Sequence, residues 1–384
     1  MKQAKLVDGL SGSIIREMFN EALKMKDTIK FTVGEPDFIT PKPVIDVACD
    51  AWQLGLTHYT PNSGIVELRQ AISEFYKDEV AVDPETQVFV SCGATEALQM
   101  ALFTLVDPGD EVLVVVPAWP NYFGQIRMCG AAVRFVPAYE KNNFVPDPDD
   151  IKKAITSKTK AIILNSPSNP TGAVIGQDTY KEIINIIAKH DIYIISDEVY
   201  NRLTYDGESC TSIHEFPEMR DRVVYVNSFS KMFAMTGWRL GYTISTPEIT
   251  QNMVKLHENG ASCLPAPSQL AAAAALRKHG DEIERMRNMY QIRRDLICSK
   301  INEMDGMSCV VPKGAFYAFV NIKELGMLST AFCMELLRKT GVVTVPGSGF
   351  GDVGEGYVRF TYATSEENIS EGLARVKSFV EGQR

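Results

Sequence analysis

The chain has 384 residues, with 39 Lys and Arg against 48 Asp and Glu, and a formal net charge of −9. Hydrophobic residues make up 45% and charged residues 23%, which is typical of a globular chain and argues against a disordered one. The pI of about 5.3 argues against a nucleic-acid-binding surface, which is usually basic. The longest apolar stretches, such as Val112–Ala118, are far shorter than the ~20 residues of a membrane-spanning helix.

The cysteines and histidines indicate neither disulfides nor a metal site. The eight cysteines are scattered without a Cys-x-x-Cys pair, which is typical of reduced thiols in the cytoplasm. The five histidines never approach metal-ligand spacing, so we expect no metal. The first ten residues lack the apolar stretch of a secretory signal. We therefore expect a cytoplasmic enzyme, and the length suggests two or three domains at ~100–200 residues each.

The first predicted elements alternate between helices and strands. A helical pattern at Ile14–Lys26 is followed, from about residue 87, by short apolar runs separated by helical patterns such as Thr95–Val106. In a later helix, Asp178 is predicted to cap an apolar stripe that begins at Tyr180. The predicted strands are Gln87–Ser91, Glu111–Val116, Ala132–Pro137, Ala161–Leu164, Ile192–Ile195, Val223–Asn227 and Leu240–Ser245. This alternation predicts an α/β fold with a mainly parallel sheet sandwiched by helices.

The pattern changes after about Ser268. A long helical pattern covers Glu282–Asn302. Short strands are then predicted at Cys309–Pro312, Ala315–Asn321, Val342–Val345 and Tyr357–Thr361. Strands with helices segregated from them are typical of an α+β domain. We therefore predict a large domain at residues 43–270 and a smaller α+β domain built from residues 1–42 and 271–384.

The most informative residue is Lys231, which follows a predicted buried strand and the two hydroxyl residues Ser228 and Ser230. A lysine in this place forms a Schiff base with a carbonyl where desolvation or a nearby cation lowers its pKa. Arg239, eight residues further on, would join the two serines as a donor to a phosphate. Taken alone, the motif also fits a lysine and an arginine on a solvated turn.

Two further groups of polar residues follow predicted strands. Asp197 comes at the end of an apolar strand, where a carboxylate is costly unless it meets a cation such as a protonated pyridine nitrogen. Tyr200 and Asn169 would donate to a phenolate oxygen on the same ring. Taken alone, Asp197 also fits a helix N-cap, and the sequence after Asn169 fits a plain turn.

A glycine-containing turn precedes the predicted helix at Thr95. The backbone N–H groups of Ala94 and Thr95 at such a helix start would bind a phosphate, although a small residue is common at any strand-to-helix turn. All of these groups follow the carboxyl ends of predicted strands, which is where open α/β sheets bind ligands. Their coincidence therefore predicts one shared site.

The same residues belong to motifs that extend over nearly the whole chain. In order, these motifs are Val33-Gly34-Glu35-Pro36-Asp37-Phe38, Tyr59-Thr60-Pro61, Gly93-Ala94-Thr95, Asn169-Pro170-Thr171-Gly172, Asp197-Glu198-Val199-Tyr200, Ser228–Gly241, Gly314-Ala315-Phe316-Tyr317 and Arg359-Phe360-Thr361-Tyr362-Ala363. Their order and spacing resemble those of the class I pyridoxal-phosphate aminotransferases of fold type I, in the bacterial aspartate-aminotransferase-like branch.

This resemblance implies pyridoxal 5′-phosphate as the cofactor. Lys231 matches the Schiff-base lysine that also carries the proton, and Asp197 matches the partner of the pyridinium nitrogen. Tyr200 and Asn169 match the residues that hold the 3′ oxygen of the ring. The phosphate would be held by Ser228, Ser230, Arg239 and the backbone of Ala94 and Thr95.

The resemblance also implies a substrate site and a dimer. Arg359 matches the arginine that binds the substrate α-carboxylate, together with Gly34, Asn169 and Trp119. Trp119 matches the aromatic residue that stacks on the cofactor, and a core tryptophan is the alternative. Tyr59 matches a tyrosine that reaches the phosphate in the neighbouring subunit, which implies a homodimer with shared active sites.

The implied reaction is ping-pong transfer of an amino group from an L-amino acid to a 2-oxo acid, with substrates like aspartate and 2-oxoglutarate. Thr95 occupies a position where some aspartate-specific relatives have a lysine for the distal carboxylate. Broad, aromatic or alanine specificity therefore remains open, as does a C–S β-lyase on the same scaffold. A non-catalytic regulator would carry an added DNA-binding domain, which we do not expect here.

One motif points to a different cofactor. Gly349–Gly354 matches the dinucleotide-binding fingerprint, but a predicted strand follows it instead of the helix that would hold a pyrophosphate. We therefore predict a loop there and no NAD-dependent oxidoreductase.

Overall fold

The computed structural model describes residues 4–8, 10, 12, 14–278 and 280–382. The strands are β1 Ile29–Lys30, β2 Val88–Ser91, β3 Glu111–Val116, β4 Ala132–Pro137, β5 Thr159–Asn165, β6 Tyr193–Asp197, β7 Val223–Ser228, β8 Gly241–Ile244, β9 Ser308–Cys309, β10 Tyr317–Asn321, β11 Val342–Val343, β12 Val345–Pro346 and β13 Tyr357–Thr361. The helices are α1 Lys5–Asp8, α2 Ile14–Leu23, α3 Lys42–Gln53, α4 Val66–Tyr76, α5 Gly93–Leu105, α6 Asn121–Met128, α7 Pro148–Ala154, α8 Gln177–Ile187, α9 Phe229–Met232, α10 Pro247–Gly260, α11 Ala266–Lys278, α12 Gly280–Asn302, α13 Ser329–Thr340 and α14 Glu366–Glu381.

The larger sheet has the strand order β2-β8-β7-β6-β5-β3-β4. Strands β7, β6, β5, β3 and β4 pair in parallel, whereas β8 is antiparallel to both β2 and β7. The carboxyl ends of the parallel strands therefore meet at one edge of the sheet. The predicted mainly parallel α/β sheet is confirmed.

Helices cover both faces of this sheet, which explains why its strands are apolar without alternation. In β6, Ile194 packs into the core beneath α3, α4, α8 and α11, whereas its neighbour Ile195 packs into the core beneath α5, α6 and α10. Successive side chains of a strand point to opposite faces, so each residue of such a strand needs an apolar partner on its own side.

A second, antiparallel sheet with the order β12-β13-β10-β9 and a parallel pair β1-β11 lie in the rest of the chain. Met18, Ala22 and Phe31, near the N-terminus, share one core with residues between Met286 and Val380. The division into two domains stays a prediction. Because α11 spans the predicted boundary at residue 270 and packs into the core with α3 and α4, we propose that the boundary lies at the end of α11.

Three local predictions need correction. Helix α8 begins at Gln177 with Gly176 as its N-cap, so the prediction that Asp178 is the capping residue is wrong. The predicted strand Val342–Val345 is two short strands, because β11 pairs with β1 whereas β12 pairs with β13. Of the predicted strand Cys309–Pro312, only Cys309 lies in a strand, which is β9 and pairs with β10.

Gly349–Gly354 lies in two short 3₁₀ turns followed by strand β13, and no α-helix begins there. All eight cysteines have free thiols. Within the described ranges, we find no helix with the length and apolar character needed to cross a membrane.

Candidate active site

A cavity of about 380 Å³ lies at the carboxyl edge of the large sheet, against the antiparallel sheet. Every predicted site residue except Tyr59 lines it: Gly34, Ala94, Thr95, Trp119, Asn169, Asp197, Tyr200, Ser228, Ser230, Lys231, Arg239 and Arg359. Tyr59 is 93% exposed and lies outside this cavity of its own chain. The structure therefore brings together residues that are up to 325 positions apart, from Gly34 to Arg359.

Lys231 enters the cavity from the short helix α9, directly after the carboxyl end of β7. Its Nζ donates a hydrogen bond of 2.6 Å to the carbonyl oxygen of Gly34. Burial, with smaller contributions from Arg239 and Arg359, lowers the pKa of Lys231 to about 8, although Glu35 opposes the shift. A fraction of the amine is therefore unprotonated near neutral pH, which is the form that acts as nucleophile or base.

Asp197 is the last residue of β6 and is only 3% exposed. The Tyr122 hydroxyl donates to its Oδ2 at 2.5 Å, and the Val199 N–H donates to its Oδ1 at 3.3 Å. No helix starts at Asp197, so it is not an N-cap. Burial raises the pKa of Asp197 to about 6, and these hydrogen bonds oppose the rise. The site thus holds a fixed carboxylate that a cationic ligand would stabilise.

Arg359, in β13, is a buried guanidinium that is 1% exposed. Its Nη1 donates to Asn169 Oδ1 at 2.9 Å, and its Nη2 donates to the Thr32 carbonyl oxygen. The guanidinium carbon lies 4.5 Å from the centre of the Tyr317 ring, and Nε has no hydrogen-bond partner. Burial lowers the pKa of Arg359, and no described carboxylate offsets this. An anion in the cavity would offset the cost of burying this charge.

The start of α5 and Arg239 form a second anion-binding region. Arg239 has a left-handed φ of 54° and donates from Nη1 to the Thr236 carbonyl oxygen at 2.9 Å. A Cβ on Gly93 would lie 2.6 Å from Arg239 Nη2, and a Cβ on Gly241 would lie 2.5 Å from the Ala94 nitrogen. The two glycines therefore let the guanidinium and the helix N-terminus approach each other closely. First-turn N–H groups and a guanidinium are together the donors that a phosphate prefers.

Aromatic side chains form the remaining walls. The hydroxyl groups of Tyr200 and Tyr317 are 2.8 Å apart and hydrogen-bonded. The Trp119 ring meets the Tyr122 ring edge to face at 5.4 Å between centroids. Because Tyr122 also donates to Asp197, the tryptophan wall and the buried carboxylate are connected through one residue.

Sequence reasoning missed several residues of this cavity. They are Arg16, Phe19, Val33, Asn121, Tyr122, Asn165, Val199 and Tyr317. Tyr122 lies three residues after Trp119 in the same motif, and Tyr317 lies in a motif already used for the resemblance, so both carried a local signal. Arg16 and Phe19 carried none, because only the packing of α2 brings them to the cavity.

The residues present fit pyridoxal phosphate. The region around Gly93 and Gly241 presents donors of the kind that a phosphate prefers, and the lowered pKa of Lys231 suits an amine that reacts with an aldehyde. Asp197 offers a carboxylate for a protonated ring nitrogen. The unpartnered Nε of Arg359 leaves a donor for the carboxylate of a substrate.

Residues 26–376 match the family model described as "Aminotransferase class I and II". The chain belongs to this family, whose members use pyridoxal phosphate, and the predicted fold type, enzyme class and cofactor are confirmed.

Particular relatives cover almost the whole chain. An aspartate aminotransferase of Pyrococcus abyssi is 42% identical over 381 residues, covering 98% of each chain. Aromatic-amino-acid aminotransferase 2 of Thermococcus litoralis is 40% identical over 376 residues, covering 97% of this chain and 96% of its own. The structure of Thermus thermophilus aspartate aminotransferase with maleate has a TM-score of 0.93 and 34% identity, covering 98% of this chain and 99% of its own. This protein is a pyridoxal-phosphate-dependent aminotransferase.

Proposed function

We propose that this aminotransferase moves the amino group of an acidic L-amino acid, such as aspartate or glutamate, to a 2-oxo acid such as 2-oxoglutarate, by a ping-pong mechanism. The observation that carries amino transfer from an L-amino acid is Arg359, a buried guanidinium without a carboxylate partner, in the same cavity as the reactive amine of Lys231. Several similar proteins are named aspartate aminotransferase, which supports the choice of substrate.

The bound cofactor supplies an aldehyde that receives the amino group and a protonated ring that withdraws electrons from the reacting carbon. Lys231 would hold this aldehyde. Asp197 would keep the ring nitrogen protonated, and the hydrogen bond from Tyr122 keeps the carboxylate pointed in one direction. Tyr200 and Asn169 would hold the 3′ oxygen, and the Trp119 ring would stack on the cofactor.

The phosphate is assigned to the region around α5. The N–H groups of Ala94 and Thr95 lie in the first turn of that helix, where they have no partner within the helix. Ser228 and Ser230 add hydroxyl groups, and Arg239 adds a guanidinium that no described carboxylate pairs with. An anion of charge −2 suits donors of this kind.

The substrate is oriented by its α-carboxylate. Arg359 binds this group with its guanidinium, which Asn169 and Thr32 hold in place. Gly34 lies beside it, and a side chain there would collide with the Tyr317 hydroxyl, because a Cβ would lie 1.8 Å from that oxygen. The amino group and Cα of the substrate are thereby held near Lys231 Nζ.

Lys231 also moves the proton. With its Nζ free, Lys231 would be placed to take a proton from Cα of the amino acid and to return it, while the bound cofactor would supply the electron-withdrawing ring that makes this proton removable. A pKa lowered to about 8 by burial suits an amine that both accepts and returns a proton near neutral pH. In the second half of the reaction, Lys231 would move a proton in the reverse direction on the incoming 2-oxo acid.

The proposal includes a cytoplasmic homodimer with shared sites. Tyr59 projects from a surface where Trp52, Leu54 and Leu56 are also exposed, and an exposed apolar surface of this kind is typical of a protein interface. A second subunit that covers this surface would bring Tyr59 to the phosphate region of its neighbour. Free thiols throughout the chain support a reducing compartment.

Half-reaction spectroscopy tests the proposal. The holoenzyme is mixed with L-aspartate, L-glutamate, L-alanine or L-phenylalanine, and the absorbance of the aldehyde form is followed. We expect the acidic donors to remove this absorbance and 2-oxoglutarate to restore it. Faster reaction with phenylalanine or alanine would overturn the choice of substrate. Release of ammonia and a keto acid without restoration would overturn transfer in favour of elimination.

A further inference from the structure

The cavity contains more positive charge than the cofactor and one carboxylate account for. Arg16, Lys231, Arg239 and Arg359 line it, against one described acidic residue, Asp197. The proposed function uses Lys231 for the aldehyde, Arg239 for the phosphate and Arg359 for the α-carboxylate. Arg16 is left without a role.

Arg16 lies in α2, where its carbon Cζ is 5.8 Å from the centre of the Phe19 ring. Phe19, one turn further along, also lines the cavity. Met18 and Ala22 on the same helix are buried in the core that includes the C-terminal part of the chain. Helix α2 is therefore anchored by one face while Arg16 faces the cavity mouth. Of the described carboxylates, none forms an ion pair with the Arg16 guanidinium.

Helix α2 covers the side of the cavity where Arg359 lies. Ile14, in its first turn, packs against the cluster that contains Phe350, and the Phe350 ring centre is 5.0 Å from Arg359 Cζ. Arg359 also donates to the carbonyl oxygen of Thr32, which immediately precedes the cavity residues Val33 and Gly34. A substrate whose α-carboxylate is bound by Arg359 therefore lies close to α2.

We infer that Arg16 binds the side-chain carboxylate of a dicarboxylic substrate and is the residue that selects acidic amino acids. This inference rests on the proposed function. Thr95 supplies no cation for that carboxylate, and the remaining cations of the cavity are already assigned. A guanidinium at the mouth, seated on an aromatic ring, is suited to a carboxylate that arrives with the substrate and leaves with the product.

The test compares Arg16→Gln and Arg16→Lys with the wild-type holoenzyme. For Arg16→Gln we expect kcat/KM for L-aspartate and L-glutamate to fall about 10- to 100-fold, because a charge-assisted hydrogen bond is lost. In the same variant, kcat/KM for L-alanine should change less than about twofold. Arg16→Lys should retain part of the preference. Arg338→Gln, at an exposed helical position outside the cavity, removes the same charge. It should change kcat/KM neither for the acidic donors nor for L-alanine.

A binding measurement separates the two proposals. Succinate and butyrate, which do not react, are titrated as inhibitors of each variant. In Arg16→Gln, the dissociation constant of succinate should rise about 10-fold or more, and that of butyrate should stay unchanged. Equal loss for both inhibitors, or no loss for either, would overturn the role of Arg16 while leaving amino transfer intact. A wild-type enzyme that transfers no amino group from any donor would instead overturn the proposed function.

Discussion

Lys231 and Asp197 have pKa values shifted toward each other by the same cause. Burial disfavours both charged forms, so it lowers the pKa of Lys231 to about 8 and raises the pKa of Asp197 to about 6. Their charged forms are destabilised until the cofactor supplies an aldehyde for one and a cationic ring for the other. The cofactor-free fold is therefore less stable at this site, and the same destabilised charges favour cofactor binding and catalysis.

This predicts a stabilising substitution in the cofactor-free protein. The folded-state pKa of Lys231 lies below its unfolded value of 10.5, so the buried amine destabilises the fold below pH 8, and the penalty disappears as pH rises to about 10.5. Lys231→Met should therefore raise the free energy of unfolding at pH 7 by on the order of 2 kcal/mol, and the gain should shrink above pH 8.

Urea unfolding of both proteins between pH 7 and pH 10.5 measures this gain. Lys255→Met, at an exposed position on α10, is the matched control for the loss of a lysine charge, and it should show no gain like that of Lys231→Met. A gain for Lys231→Met that stays constant across the range would contradict the assigned shift.

At the scale of residues, the sequence predicted site residues best where several reactive or charged side chains stand in one short motif. Lys231 and Asp197 come at the carboxyl ends of strands whose apolar pattern is strong, so their meeting at one edge of the sheet was predictable. The hydrogen bond from Tyr122 to Asp197 depends on how α6 packs under the strands, and the placement of Arg16 depends on α2 crossing to the cavity. Such side-chain contacts come from tertiary packing, which no local pattern encodes.

At the scale of elements, the start of α5 depends on Gly93. Its φ is +72°, and a Cβ would lie 2.6 Å from Arg239 Nη2. Gly93→Ala should lower stability by about 1 kcal/mol through the left-handed backbone. It should also weaken cofactor binding at least about tenfold, because Arg239 must shift away from the phosphate region.

Gly207→Ala is the matched control for Gly93→Ala. Its φ is +74°, and a Cβ there would meet nothing within 4 Å. We expect the same loss of about 1 kcal/mol in urea unfolding but unchanged cofactor affinity in an absorbance titration. If both variants bind the cofactor like wild type, Gly93 has no part in forming the anion-binding region.

Elements were predictable where their pattern was local. The bounds of β3, β4 and β13 agree with the sequence predictions, because these strands are short segments rich in β-branched and aromatic residues. Val342–Val345 looked like one strand, yet its two halves pair with different partners, one of them β1 near the N-terminus. Pairing partners are set by the fold as a whole, so a local pattern cannot reveal this break.

At the scale of the whole molecule, the net charge of −9 describes the surface and conceals a cationic cavity. The sequence predicted the large sheet from strand–helix alternation. Residues near both chain ends share one core, and the division into two domains stays a prediction. The predicted boundary at residue 270 lies within helix α11. The apolar composition of helix α11 is compatible with either predicted domain. Its packing against α3 and α4 depends on the tertiary fold, so the sequence pattern does not reveal it.

The shared-site dimer predicts complementation between two damaged subunits. Lys231→Ala should abolish transamination, and Tyr59→Ala should weaken cofactor binding. In a heterodimer of the two, one site combines an intact Lys231 with an intact Tyr59 from the other subunit, so activity should reappear at low cofactor concentration. Activity of the purified heterodimer is compared with that of each homodimer. Activity no higher than the sum of the homodimers would contradict a site completed across the interface.

The central claim is that this protein transfers an amino group through Lys231. It is tested most directly by incubating the holoenzyme with ¹⁵N-labelled L-aspartate and unlabelled 2-oxoglutarate and analysing the products by mass spectrometry. We predict labelled glutamate together with oxaloacetate in equal amounts, and neither product with Lys231→Ala. Labelled ammonia without labelled glutamate, or labelled glutamate formed equally well by Lys231→Ala, would contradict the claim.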